Sequence, residues 1–394
     1  MSTHVEETDE TDETDEVEET SEVEETSEVD ETDGSGGNDR GGGVRVTGGV
    51  GGAVEGGGGV PVVPVLSAGL RGALADVRIS VDGRTAWVRD DEVNAESPSA
   101  MRFLLARTLY EVLHTGRGIK DRTPPRTLRA PDFEARLAKA TPHPETVAAG
   151  VLTGQRSLAG RRVVEIDGVR VGVPDAVALR EDGRTAGGSG RPVVRMELPS
   201  ARPLLSPGFF LVDSGSGRTG GGELLRLYLR VADADVAPAL WHAVLSALER
   251  RSVVYRAKII SNPASLPRND GMVVYLGAGF WDAVGVVAEA AVGTGVPDGP
   301  APGFARVIAP GVTVAWEPRD ERVGMRGLSF GEHRAHVVAR AFVAAAGWGR
   351  ECPTDVELAE ACVAANVDPA DPARNLDSGG WEWGLTGPSL DRAG

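Results

Sequence analysis

The chain has 394 residues, enough for one large domain or two ordinary ones, and a formal net charge of −17 at pH 7. Residues 1–34 hold 17 acidic residues and no Lys or Arg, so the other 41 acidic residues balance all 41 basic ones. A neutral folded part argues against nucleic-acid binding, and an acidic N-terminus without a long apolar run argues against a secretory signal or membrane span, so a cytoplasmic location is expected.

Residues 1–60 repeat Glu-Glu-Thr and Asp-Glu-Thr units and then run to glycine, a composition that repels itself and buries nothing. They are predicted to be a disordered tail. The next stretch, 61–150, is expected to be mostly helical. Residues 98–115 carry Phe103, Leu104, Ala106, Leu109, Val112 and Leu113 at helical spacing, and Asp132 to Ala140 reads as a second short helix. His114, at a helix end that suits a cation, is given no role in a site. Residues 151–394 read as an α+β core: a mixed β-sheet flanked by helices. Short strands are predicted at Arg162–Ile166, Val169–Val173 and Val193–Leu198, with loops at Gly187–Gly190 and Ser214–Gly222.

Two strands then stand out. Leu225 to Arg230 alternates leucines with Arg226, Tyr228 and Arg230, and Val253 to Ile260 places Arg256 and Lys258 on one face. The helix Asp235–Arg251 lies between them in sequence, so a crossover is needed and the pair is parallel or part of a mixed sheet. Of the 41 basic residues only three are lysines, at 120, 139 and 258, which makes the strand lysine conspicuous. Arginine keeps its proton in a protein, whereas a lysine among cations and partly buried can serve as a base.

Further helices are predicted at Phe280–Val292 and after two capping boxes, Ser329-Phe-Gly-Glu332 and Thr354-Asp-Val-Glu357, with short strands at Arg306–Ile308 and Val312–Trp316. His333 and Arg334 fall in the first turn after Ser329, where cations are disfavoured unless an anion binds. Cys352 and Cys362 bracket the last helix too far apart to bridge, and no Cys/His spacing suggests zinc. The glycine-rich loop at 214–222 lacks the strand and helix of a phosphate cradle, and no kinase motif set is present.

Leu205-Ser-Pro-Gly-Phe-Phe210, Arg226-Leu-Tyr-Leu-Arg230, Tyr255-Arg-Ala-Lys-Ile259, the stretch 267–276 and Ser329-Phe-Gly-Glu-His-Arg334 resemble the HopA1 family, over roughly residues 95–385. That family is named for a type III secretion effector, and its relatives in class V lanthipeptide and thioamitide pathways are implicated as lyases. The resemblance implies a phosphoserine/phosphothreonine lyase in peptide natural-product (RiPP) biosynthesis. Its substrate would be a precursor peptide phosphorylated by an aminoglycoside-phosphotransferase-like kinase, and its product a dehydroalanine or dehydrobutyrine residue. The residue order also resembles phosphothreonine lyases and lanthipeptide lyase domains, which suggests Lys258 as base, Arg268 on phosphate and Tyr275 beside it. Where those lyases use a His acid this chain has Tyr228, so Tyr228 or His333 is expected to be the acid.

Elimination needs a base at Cα, an acid for the bridging oxygen, and cations for the departing dianion. Arg226, Arg230, Arg256, Arg268 and Arg334 are the candidate phosphate ligands, and no metal or organic cofactor is required. Cationic strand faces serve equally well in a binding module without catalysis, for a kinase, a phosphopeptide or a host protein.

Overall fold

The computed structural model describes residues 65–118, 127–166, 168–186, 190–203, 205–219, 222–300 and 302–381. The acidic tail and residues 187–189 of the glycine loop lie outside them. The described chain opens with α1 (Ala68–Ala73), a small antiparallel sheet of β1 (Val77–Ile79), β2 (Thr85–Val88) and β3 (Asp91–Asn94), and α2 (Pro98–Leu109). Helix α2 runs on as a π-helical turn, Tyr110–Thr115, that ends on Gly116 in the left-handed region. The stretch 61–150 thus carries a sheet as well as helices.

Helix α3 (Pro131–Ala140) leads into a five-stranded antiparallel sheet. Its strands are β4 (Glu145–Arg156), β5 (Arg162–Ile166), β6 (Val169–Val173), β7 (Arg180–Thr185) and β8 (Pro192–Pro199), in the order β6-β5-β4-β8-β7. The boundary expected near residue 150 falls inside β4. This sheet packs a small core of its own around Val164, Val173, Val194 and Met196.

The central sheet comprises β9 (Phe209–Asp213), β10 (Leu224–Val231), β11 (Tyr255–Ile260), β12 (Arg268–Gly277), β13 (Arg306–Ala309) and β14 (Val312–Trp316). Helix α4 (Ala237–Glu249) joins β10 to β11, and α5 (Val284–Gly293), α6 (Phe330–Gly347) and α7 (Asp355–Ala364) complete the fold. The α+β class stands, but the sheet is antiparallel throughout, in the order β13-β14-β10-β12-β11-β9. The crossover through α4 does leave β10 and β11 running the same way. Strand β12 inserts between them, so no parallel pair forms.

Alternation along these strands splits the core in two. Leu225, Leu227 and Leu229, with Tyr255, Ala257 and Ile259, and Met272, Val274 and Leu276, face α4 and α5 and bury Trp241, Leu245 and Val287. Each such leucine contributes about 1.5–3 kcal/mol on burial. On the other face Tyr228, Val273 and Ala315 pack under α2, the π-helical turn and α6, against Leu109, Val112, Phe330 and Phe342. Phe103, expected on the inner side of α2, is instead 55% exposed. Both predicted capping boxes form, at Ser329–Glu332 and Thr354–Glu357. Cys352 and Cys362 are both free.

Candidate active site

The register of the central sheet lays the candidate residues out in rows. One row reads Asp213, Arg256, Tyr275, Arg226 and Ala315 across five strands. The next, two residues along, reads Leu211, Lys258, Val273, Tyr228 and Thr313. Residues two apart on a strand share a face, so both rows look to the same side. Helices cover that side over Tyr228 and Val273. Towards β11 and β9 a groove of about 330 Å³ remains, lined by Lys258, Arg256, Arg226, Tyr275, Leu211 and Glu317 together with Leu205, Ser206, Arg218, Thr219 and Leu224.

Carboxylates temper the expected cationic face. Arg226 makes a two-pronged ion pair with Glu317. Arg256 donates to Asp213 Oδ1 at 2.8 Å, and Arg202 holds the other oxygen at 3.3 Å. Lys258 differs: among the described residues no carboxylate lies within ion-pair distance of it. Its Nζ sits 4.2 Å from the centre of the Phe209 ring and 5.9 Å from that of Tyr275. The Arg226 guanidinium stacks 5.2 Å from the same Tyr275 ring. An ammonium held against ring faces, with no carboxylate among the described residues at ion-pair distance, keeps its hydrogen-bonding capacity for a ligand.

Five of the nine residues singled out in the sequence do not line this groove. Arg230 lies four residues along β10 from Arg226, about 13 Å away, where it donates to Asn269 Oδ1 at 2.6 Å. Arg268 is locked on Asp270 through two hydrogen bonds of 2.8 and 2.9 Å, and also reaches the Tyr110 hydroxyl at 3.2 Å. His333 is fully buried. Its Nδ1 accepts from Arg334 and its Nε2–H donates to Asp320 at 2.9 Å. Burial and the adjacent Arg334 charge lower its pKa to about 4, so the imidazole is neutral.

Arg334 spends its donors on the carbonyls of Pro372 and Arg374 and on Asn375, tying a later loop to α6. The anion expected at this helix start is thus replaced by the chain's own carbonyl oxygens. Tyr228 is 3% exposed, its hydroxyl makes no hydrogen bond among the described residues, and burial pushes its pKa well up against the nearby Arg226 charge.

Sequence reasoning missed what stands behind Tyr228. His114 on the π-helical turn lies edge-on to the Tyr228 ring at 4.8 Å, with Nε2 3.8 Å from Asp270. Burial drives its pKa down to about 4, outweighing the Asp270 charge. Burial alone would raise Asp270, but the Arg268 guanidinium prevails and holds the carboxyl well below the usual range. Glu317 and Asp213 were also missed, since nothing local marks an acid for pairing with an arginine 91 or 43 positions away in sequence.

Among the described residues no group of three or more His, Cys, Asp or Glu side chains is placed to hold a metal ion. Nor is any of their helices long and apolar enough to cross a membrane.

The molecule is an α+β protein with a cation-lined groove on one face of an antiparallel sheet. Residues 200–374, which include both rows, match the model of the HopA1 effector protein family. The family match begins after the five-stranded sheet, at residue 200 rather than near 95. Two solved effector structures, from Pseudomonas syringae pv. tomato strain DC3000 and pv. syringae strain 61, are similar at 14% and 13% identity. They cover 72% and 70% of this chain and 91% and 97% of their own, with TM-scores of 0.39 and 0.37. No curated protein matches the chain.

Proposed function

We propose that the groove receives a phosphoserine or phosphothreonine residue of a peptide and eliminates its phosphate, leaving dehydroalanine or dehydrobutyrine. The observation that carries this reading is Lys258, an ammonium without a carboxylate partner among the described residues, placed one row from two guanidiniums and a tyrosine in the same groove. Lys258, once neutral, takes the Cα proton. The electron pair forms the Cα=Cβ bond, the Cβ–O bond breaks, and Arg226 and Arg256 carry the charge of the departing phosphate. A kinase acting on Ser or Thr of the same peptide would have to supply the substrate. The match of residues 200–374 to the HopA1 family model supports the reading through the lyases that their motifs resemble.

A second reading, phosphopeptide binding without turnover, draws on the burial of both Tyr228 and His333, the residues expected to protonate the leaving group. Incubating the full chain with a phosphoserine peptide separates the two. Loss of one phosphoric acid by mass, with trapping of the alkene by a thiol, is the expected result. Saturable binding with the phosphate still attached would replace the lyase by the binding module.

A further inference from the structure

We propose that Glu317 is the acid of this groove: incoming phosphate displaces it from Arg226, it takes up a proton, and it delivers that proton to the leaving oxygen. The inference rests on the elimination reading. It begins from the unlike condition of the two carboxylates that meet the groove arginines. Asp213 is 1% exposed and is held by both Arg202 and Arg256, so it is a fixed counter-ion. Glu317 is 29% exposed, lines the groove, and turns both oxygens to the one guanidinium of Arg226.

Its backbone, by contrast, is fixed. The Glu317 N–H donates to Leu224 O and its carbonyl accepts from Asn375 Nδ2 at 2.7 Å. Two residues beyond Ala315 and just past β14, it lies opposite Leu224, one row along from Arg226. A swinging side chain on a held main chain is what an exchangeable partner needs.

A phosphate dianion uses the same fork of two N–H groups that a carboxylate uses. When it takes Arg226, Glu317 loses its ion-pair partner and stands beside two negative charges. Both changes favour its protonated form, since like charges in one site cannot all stay ionised. A neutral carboxyl there donates its O–H to the phosphate, and that proton is in place when the Cβ–O bond opens. The balance closes: Lys258 gains the Cα proton, the bond pair stays on oxygen and takes the Glu317 proton, and exchange with water resets both groups. This supplies the acid that buried Tyr228 and His333 do not.

The test measures proton uptake with the full chain and a phosphonate analogue of the phosphopeptide, in which carbon replaces the bridging oxygen and elimination is impossible. Calorimetry in two buffers of different ionisation enthalpy, repeated at several pH values and corrected for the analogue's own titration, counts the protons. Wild type should take up more protons on binding than Glu317→Gln, by up to one, while the variant binds at least as tightly. With the true phosphopeptide, Glu317→Gln should lose ~10²–10⁴-fold in elimination. Uptake that is undiminished in Glu317→Gln overturns the proposal, as does elimination that survives it. If Tyr275→Phe alone abolishes elimination, Tyr275 is the acid instead. A wild type that binds the analogue with proton uptake but never eliminates phosphate would refute the lyase and leave the Glu317 exchange standing. No binding at all would sink both.

Discussion

Replacing Lys258 by Arg and, separately, by Met divides the two things this residue does in the groove. Among the described residues its ammonium has no carboxylate partner, and it lies 4.2 Å from the centre of the Phe209 ring, so its charge is available to a ligand. Arginine keeps that charge but has no neutral form at working pH, so phosphopeptide binding should hold within a few-fold. Elimination should fall ~10²–10⁴-fold, the contribution of a positioned base, or about 2.7–5.5 kcal/mol at 1.36 kcal/mol per tenfold. Methionine keeps the stem's packing and removes the charge as well. A phosphate about 4 Å away would lose up to ~4 kcal/mol of attraction at an effective dielectric of about 20, less in a groove open to water. Binding should therefore weaken in Lys258→Met and not in Lys258→Arg. Single-turnover release of phosphate reads the rate, and deuterium at Cα of the phosphorylated residue should slow the wild type. Near-normal elimination by Lys258→Arg would refute the base assignment and leave Lys258 as a phosphate ligand.

Arg268→Ala should act on stability rather than on phosphate. It strands the buried Asp270 carboxylate, which costs about 3–5 kcal/mol at neutral pH, and a urea midpoint close to wild type would show that Asp270 is paired otherwise. Because Asp270's folded pKa is depressed, wild-type stability should fall as pH drops below about 4, where the unfolded carboxyl protonates, and the gap to the variant should begin to close at the higher pH where its stranded carboxyl protonates. His114 and His333 pull the same way over a higher range. Both are held near 4 against about 6.5 unfolded, so the unfolded chain binds more protons between those values and stability falls on acidification. About 2 kcal/mol should be lost per histidine between pH 7 and pH 5, and a flat midpoint over that range would refute their neutral burial. Gly331→Ala should destabilise by about 1–3 kcal/mol despite better helix propensity, because its Cβ would sit 2.4 Å from the His114 ring. A stabilised variant would show that the ring can give way.

What could be read from the sequence was what is local. The period-two alternation of Arg226, Tyr228 and Arg230 with leucines, the Arg256–Lys258 spacing and both capping boxes depend on neighbours within four residues, and each formed where expected. Partners were not legible. Arg226 meets a carboxylate 91 positions away and Arg256 one 43 positions away, and no spacing rule links them. For the same reason the helix-start cations misled: Arg334 finds carbonyl oxygens 38 and 40 residues on. Strands β1 to β3, of three or four residues each, are too short for a periodic signal.

Because the groove is assembled by hydrogen-bond register, its charges also police how the sheet forms. A one-residue slip of β11 would turn Tyr255, Ala257 and Ile259 outward and drive Arg256 and Lys258 into the core that holds Trp241. Burying two unpaired cations there costs several kilocalories per mole each, so the wrong alignment is heavily penalised before any ligand appears. Mutational drift that neutralised the groove would remove that penalty along with the chemistry. A copy that had lost its reaction should then tolerate alternative strand pairings that the charged form rejects.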